Sequence, residues 1–255
     1  MIKRLAGLIA NGILARFGYE VKRRPRWTGR LTKRSSLELL KGLGVCPETV
    51  VDVGVGPYGT PELYEVFPDS MHVLVEPVKE FWPAIEALRA GIKRSRLVRA
   101  AAFSQEGTAT LRGARGLTHF TLGETTGERW ESSLARETPM TTLDQICKTH
   151  QTQGPYLIKV DVDGKDLDVL QGSENVLKET ACVVIESNPA DISAKASFLE
   201  KRGFFLWDIV DLGYKERILH QVDLILIHNQ YRSEKFVTSL MSEGVLFGPL
   251  YPFTG

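Results

Sequence analysis

Short apolar runs alternate along the chain with stretches whose apolar residues recur at helical spacing, a pattern that predicts strands interleaved with helices. Val50, Val51 and Val53 make the first run, and glycines follow where that strand ends. Pro61–Phe67 reads as a short helix, with its proline in the first turn, where the missing N–H is tolerated. MHVLVEP (71–77) is the second strand. The helix after it, Val78–Ala90, carries Phe81, Ile85 and Leu88 on one side. A third strand is expected over 96–103, a helix over Thr142–Lys148 and a fourth strand over 156–161. Leu167, Leu170, Val176 and Leu177 then place an apolar face on a helix, followed by a fifth strand at 181–186 and a helix at Ile192–Arg202. FFLWDIV and HQVDLILIHN close the series as two strands, expected to pair antiparallel. Repeated strand–helix units ending in such a pair predict an α/β, doubly wound, mostly parallel seven-stranded sheet. Residues 104–138, rich in Gly, Thr and Arg, fit either a hairpin or a mobile loop.

Charge changes the picture at the start of the chain. Residues 1–34 hold ten Lys or Arg against Glu20 alone, whereas the rest carries an excess of acid. Leu5, Leu8, Ile9, Ile13, Leu14 and Phe17 repeat at helical spacing among these bases. Residues 1–45 are therefore read as a basic amphipathic extension, 46–230 as the main domain and 231–255 as a tail. The extension suits a helix that caps the domain, a peripheral contact with anionic membrane, or a contact in a homo-oligomer. Its start resembles a signal sequence briefly but lacks a small-residue cleavage site, so it reads as a retained helix. No apolar run approaches the roughly 20 residues needed to cross a bilayer. Cys46, Cys147 and Cys182 are far apart and suit buried thiols in a reducing compartment. A cytoplasmic location is expected, with contact at the inner membrane face as its variant. Nucleic acid is not expected as a partner, because the basic stretch has one aromatic, Trp27, and no recognition module.

In an open α/β sheet, ligands bind beyond the carboxyl ends of the strands. The residues that end each strand are therefore the candidates. The first strand ends in Asp52 and the loop Gly54-x-Gly56-x-Tyr58-Gly59, a spacing that lets backbone approach a ligand closely. The second ends in Glu76-Pro77, where a carboxylate can accept ribose hydroxyls. Ala102, Phe103 and Ser104 end the third, Asp161 and Asp163 the fourth, and Glu186 and Asn188 the fifth. At this level nicotinamide dinucleotides and S-adenosylmethionine both remain open as cofactors, although Pro57 and Tyr58 sit poorly with a pyrophosphate.

The segment YLIKVDVDGKDLDVLQG, followed by VVIESN, resembles the corresponding signature of the FkbM-type S-adenosylmethionine-dependent methyltransferases. Lys159, Asp161, Val162, Asp163, Gly164, Asp166, Val169, Leu170 and Gly172 carry the match, with Asp at two positions where Glu is usual. Asp52-Val53-Gly54, Glu76-Pro77, Thr142-Leu143-Asp144, Gly203-Phe204 and Val222-Asp223-Leu224 resemble the family's other landmarks, in order. The first loop departs from the pattern: Gly56 stands in place of an asparagine, and Gly59 comes one residue late.

The resemblance implies a Rossmann-like class I methyltransferase fold that uses S-adenosyl-L-methionine. The implied reaction is methyl transfer, with O-methylation of a hydroxyl on a small-molecule, sugar, glycan or natural-product acceptor as the specific expectation. A nicotinamide-dependent oxidoreductase or a non-catalytic member of the fold is the alternative. Cofactor contacts are expected at Asp52, Gly54, Gly56, Tyr58, Gly59, Glu76, Pro77, Ala102, Phe103 and Asp161. Catalytic work is expected of Asp161, Asp163, Glu186, Asn188 and His119, the last as a base reaching from 104–138. Asp161, Glu186 and Asn188 are oxygen donors that suit Mg²⁺, but no ligand spacing supports a metal and none is predicted. Lys159 reads as a snorkelling or ion-paired lysine. His72 and His220 begin strands, which places them at the wrong end for this site.

Overall fold

The computed structural model describes residues 32–114, 120–122 and 130–231. Helix α1 (Lys33–Gly42) is capped by Thr32, whose hydroxyl accepts the Ser35 N–H. It leads to β1 (Thr49–Val53), α2 (Pro61–Val66), β2 (Met71–Val75), α3 (Trp82–Arg89) and β3 (Ser95–Val98). Four strands follow: β4 (Ala101–Ala102), β5 (Gly107–Ala114), β6 (Phe120–Leu122) and β7 (Trp130–Thr141). The chain then runs through α4 (Leu143–Thr149), β8 (Tyr156–Val160), α5 (Asp166–Gln171), α6 (Glu174–Lys178), β9 (Thr180–Ser187) and α7 (Ile192–Glu200). It closes with β10 (Phe204–Lys215) and β11 (Ile218–His228).

Seven strands form the central sheet in the order β10-β11-β9-β8-β1-β2-β3. β1 pairs in parallel with β2 and β8, and only β11 runs against its neighbours β9 and β10. After β1 the chain builds one side of the sheet through β2 and β3, then returns to β8 and β9 on the other. The gap between β1 and β8 is thus the switch point, where the sheet opens at its carboxyl edge. Every residue of β1 and β8 is buried, as strands covered on both faces must be. The expected seven-stranded, mostly parallel sheet is the one observed, with its antiparallel terminal pair.

Three elements differ from the sequence reading. The third strand stops at Val98, where exposed Arg99 lays its guanidinium 4.8 Å from the Trp82 ring centre. Ala101 and Ala102 then pair with Met140 and Thr141 in a second sheet, β4-β7-β5-β6, which gives order to part of 104–138. The helix expected after Asp166 breaks at Gly172, a position that only glycine fits, since a β-carbon there would stand 2.0 Å from the Phe103 carbonyl oxygen. Ser173 donates its hydroxyl back to the Val169 carbonyl (2.6 Å) at the same break.

α1, inside the expected 1–45 extension, packs as part of the core: Leu37 and Leu40 are fully buried against Val50, Val184 and Ile225. Each such side chain contributes about 1.5–3 kcal/mol. Cys46 corrects the expectation of buried thiols, since it lies exposed between α1 and β1, whereas Cys147 and Cys182 are buried. The amphipathic repeat between Leu5 and Phe17, and the tail from 232, lie outside the described residues. Among the described residues no helix is long and apolar enough to cross a membrane.

Candidate active site

A cavity of about 590 Å³ opens at the carboxyl ends of β1, β2, β8 and β9. Its floor is set by the loop after β1. Gly54, Gly56 and Gly59 have φ of +79°, +60° and +62°, a backbone region that side chains disfavour. A β-carbon on Gly54 would stand 1.8 Å from the Asp161 carbonyl oxygen, so only glycine lets this loop leave beside β8. Nothing lies within 4 Å of the corresponding point at Gly56, which faces open space.

Asp52 stands beneath this loop and does not line the cavity. Fully buried, it accepts the hydroxyls of Thr60 (3.2 Å) and Tyr64, and the Tyr64 oxygen accepts the Thr60 N–H (3.0 Å). The residue works as an anchor that ties the loop and the start of α2 to the sheet. Glu76 closes the other side. It is 3% exposed, and its two carboxylate oxygens accept the Gly56 and Val78 N–H groups, each at 2.8 Å. Burial pushes the Glu76 carboxyl up to about 7, against the pull of those two donors.

Opposite Glu76, β8 and β9 bring Asp161 and Glu186 to the cavity wall. The two carboxyl groups are hydrogen-bonded to each other. Lys159, buried beside them, donates to Asp161 Oδ2 at 2.9 Å and lies 3.8 Å from Asp52 Oδ1. Burial works against the charge on Asp161, but Lys159 and the bond with Glu186 hold its carboxyl below the ordinary value. Burial, and then the bond and charge of Asp161, push Glu186 up to about 8. The proton of the pair therefore sits on Glu186, and Asp161, whose side chain is 37% exposed, is the open carboxylate. Lys159 is thus the ion-paired lysine of the two readings.

Of the other expected site residues, Gly54, Gly56, Tyr58, Pro77, Ala102 and Asp163 line the cavity. Gly59 does not: a β-carbon there would meet Leu88 at 2.6 Å and the Tyr64 hydroxyl at 2.7 Å, so this glycine packs the loop against α2 and α3. Phe103 donates its N–H to the Thr141 carbonyl (2.8 Å) and is outside the wall. Asn188 is turned to the start of α7, where its amide bonds Asp191 and the Ala190 N–H. His119 lies outside the described residues. Among the described residues no cluster of three or more His, Cys, Asp or Glu is arranged to hold a metal.

Sequence reasoning missed Val78, Phe81, Leu111 and Leu122, the apolar side of the cavity, as well as Lys165 and Gln221. Gln221 was hidden by strand direction. β11 runs antiparallel to β9, so its start lies at the carboxyl edge of the sheet, and His220 sits at that same edge instead of the far one.

The Methyltransferase FkbM domain matches residues 58–215, more than half of the chain. The chain belongs to the FkbM methyltransferase family. Its activity is S-adenosylmethionine-dependent methyl transfer, which decides between the two cofactors left open by the glycine loop. No curated protein matches this FkbM methyltransferase. Solved structures with a similar course of chain include an rRNA methylase from Streptococcus thermophilus, 11% identical over 79% of this chain and 99% of that one, with a TM-score of 0.47. A putative rRNA-methylase from Clostridium thermocellum is 9% identical over 79% and 97%, with a TM-score of 0.45. Precorrin-6y C5,15-methyltransferase from Geobacter metallireducens GS-15 is 13% identical over 78% and 90%, with a TM-score of 0.42. At these scores no acceptor follows from them.

The cavity of this FkbM methyltransferase fits the cofactor. Its volume lies within the roughly 300–1,000 Å³ of ligand sites. It sets an apolar wall (Val78, Phe81, Ala101, Leu111, Leu122) beside the buried Glu76 carboxyl group, with the glycine loop at Gly54 and Gly56 next to them. Those features suit a base, a ribose and an amino-acid end in turn.

Proposed function

We propose that this enzyme methylates a hydroxyl of a sugar, glycan or natural-product acceptor, with Asp161 taking up the hydroxyl proton. The observation that carries the proposal is the pair of carboxyl groups at the cavity wall, of which Asp161 is partly exposed and ion-paired with Lys159 at 2.9 Å. An alcohol is a weak nucleophile until its proton is removed, and a positioned base contributes about 10²–10⁴-fold. An amine or thiol acceptor needs less of this help.

The bound cofactor supplies an electrophilic methyl group on sulfur. Glu76 would hold the ribose, the apolar wall the adenine, and the Gly54–Gly56 backbone the amino-acid end. Asp161 would orient the acceptor oxygen and take up the proton that this oxygen gives up. Glu186, already protonated, keeps a hydrogen bond on Asp161 and so fixes the direction of its free lone pairs. Lys159 stays charged beneath them: burial works against its charge, but Asp52 and Asp161 outweigh it. Orientation of this kind can contribute several kcal/mol, about 7–11 at the extreme.

The test is transfer of a radiolabelled methyl group from S-adenosylmethionine to a panel of glycosides and polyols with free hydroxyls, beside matched amines and thiols. For an accepted alcohol, Asp161→Asn should lower kcat by about 10²-fold or more, with S-adenosylhomocysteine affinity little changed. Weakened cofactor binding with normal saturated turnover would confine Asp161 to cofactor contact. Labelling of amines or thiols alone would refute the hydroxyl assignment.

A further inference from the structure

We infer that Lys33 on α1 and Asp223 on β11 are positioning residues for the Asp161–Glu186 pair, an outer row of charge that fixes which protonation state the pair holds. The inference rests on the reading of that pair as the proton acceptor. Both residues lie outside the matched span 58–215.

The sheet register makes the row. Asp223 stands opposite Glu186, Lys159 opposite both Val184 and Asp52, and paired residues of neighbouring strands share a face. Residues two apart on a strand share it too. Asp52, Lys159, Asp161, Glu186 and Asp223 therefore cross four adjacent strands on one face of the sheet, the face that α1 covers. Lys33 Nζ lies 2.8 Å from Asp223 Oδ2 and 3.7 Å from Asp211 Oδ2, with its side chain 12% exposed. Its backbone is fixed as well. The Lys33 N–H donates to Asp211 Oδ1 (3.2 Å), and the Ser36 hydroxyl donates to Asp208 Oδ2 (2.9 Å) one turn on. The adjoining turns are pinned by fully buried Leu37 and Leu40. This is not a surface lysine in search of a partner.

The groups that face the pair are Asp52 from β1, Lys159 from β8, Asp223 from β11, Asp211 from β10 and Lys33 from α1. Asp163 and Lys165 line the same cavity from the loop after β8, and Glu76 lines it from the end of β2. Within the buried row, acids outnumber the two lysines, and closely spaced carboxylates cannot all ionise. That excess of acid favours a proton kept in the row. Burial raises the Asp223 carboxyl and Lys33 opposes that rise; negative charge on Asp223, directly across from Glu186, disfavours a second negative charge there. The proton is thereby held on Glu186 and Asp161 is left open toward the cavity.

The test uses the full chain without an acceptor: the Glu186 carboxyl carbon is followed by ¹³C NMR through a pH titration, with Glu186→Gln to assign it. Asp223→Asn removes the negative charge across from Glu186 and leaves Lys33 opposed by Asp211 alone, so the Glu186 midpoint should fall by about one unit or more, as for a nearby charge. Lys33→Met/Asp223→Asn removes both charges, and its midpoint should lie between that of Asp223→Asn and that of the wild type. This ordering is one that a purely structural role would not produce. Equal midpoints in the two variants would overturn the role of Lys33, and an unmoved midpoint in both would overturn the inference as a whole. Should Asp223→Asn not fold, the neutral double variant stands alone, and a midpoint equal to that of the wild type overturns the inference. A wild-type Glu186 that titrates in the ordinary carboxylate range would instead sink the acid-pair reading beneath it.

Discussion

Replacing Glu76 with Gln keeps the size of the side chain but puts an NH₂ group where a carboxylate oxygen now accepts a backbone N–H. Oε2 takes the Gly56 N–H and Oε1 the Val78 N–H, both at 2.8 Å, in a residue that is 3% exposed. In the variant one buried N–H faces another donor. A bond to a charged group is worth about 1.5–3 kcal/mol and an unsatisfied buried donor costs about 1–3 kcal/mol; since these overlap, we expect a loss of about 2–4 kcal/mol in stability. The Gly56 bond also holds the glycine loop in shape, and the ribose loses a charged partner. Affinity for S-adenosylhomocysteine should weaken by about 1–3 kcal/mol, roughly 5- to 150-fold. Burial holds the Glu76 carboxyl up to about 7. The contrast in affinity should therefore be larger at pH 8 than at pH 6, where the wild-type group is mostly protonated and resembles the amide, whereas the contrast in stability should be smaller at pH 8, because the wild type loses stability as Glu76 ionises. Urea unfolding and calorimetric titration with S-adenosylhomocysteine, each at both pH values, measure these effects. A variant with unchanged stability and affinity at pH 8 would refute the account of this side of the cavity.

Gly54→Ala should destabilise by about 2–5 kcal/mol, because it combines left-handed backbone with overpacking against β8; an unshifted denaturant midpoint would contradict the contact with Asp161. Glu76 and Glu186 are held up to about 7 and 8, above their ordinary 4.5. The folded state thus keeps protons that the unfolded state releases, and unfolding free energy should fall as pH rises through that window. His72, held below 6.5 by burial, gives an opposing rise that ends near 6.5, so the fall between pH 6.5 and 8 should be clear in urea titrations. Glu76→Gln/Glu186→Gln should flatten it. Lys195→Met leaves Asp166 and Asp191, bonded to that lysine at 2.9 and 3.0 Å, without their buried cation; a loss of about 3–5 kcal/mol is expected in thermal unfolding.

The central sheet was legible because its strands are buried on both faces, which leaves runs rich in valine, leucine and isoleucine in the sequence. The strand-end acids were legible for a related reason: Asp161, Glu186 and Glu76 each terminate such a run. Phe103 and Asn188 misled because position along the chain does not reveal direction. Phe103 follows the short β4 into the second sheet, and Asn188 serves the start of a helix. The apolar wall could not be read, since Leu111 and Leu122 come from strands whose period is blurred by glycine and threonine. Asp223 did leave a signal, a lone acid inside the apolar run of β11. Lys33 left none, for nothing distinguishes it from the other bases of its segment until α1 is laid on the sheet.

The cavity takes its floor and its apolar wall from different sheets. Gly54, Glu76, Asp161 and Glu186 belong to the central sheet, whereas Ala101, Ala102, Leu111 and Leu122 come from the smaller one. The two are joined in sequence through the turn at Arg99–Ala100 and through Thr141–Leu143. Substitutions along β5 and β6 can therefore reshape the wall without touching the hydrogen bonds that organise the donor side. Separation of this kind lets packing beside the adenine change on one sheet while the carboxyl groups and glycine loop of the other keep their places.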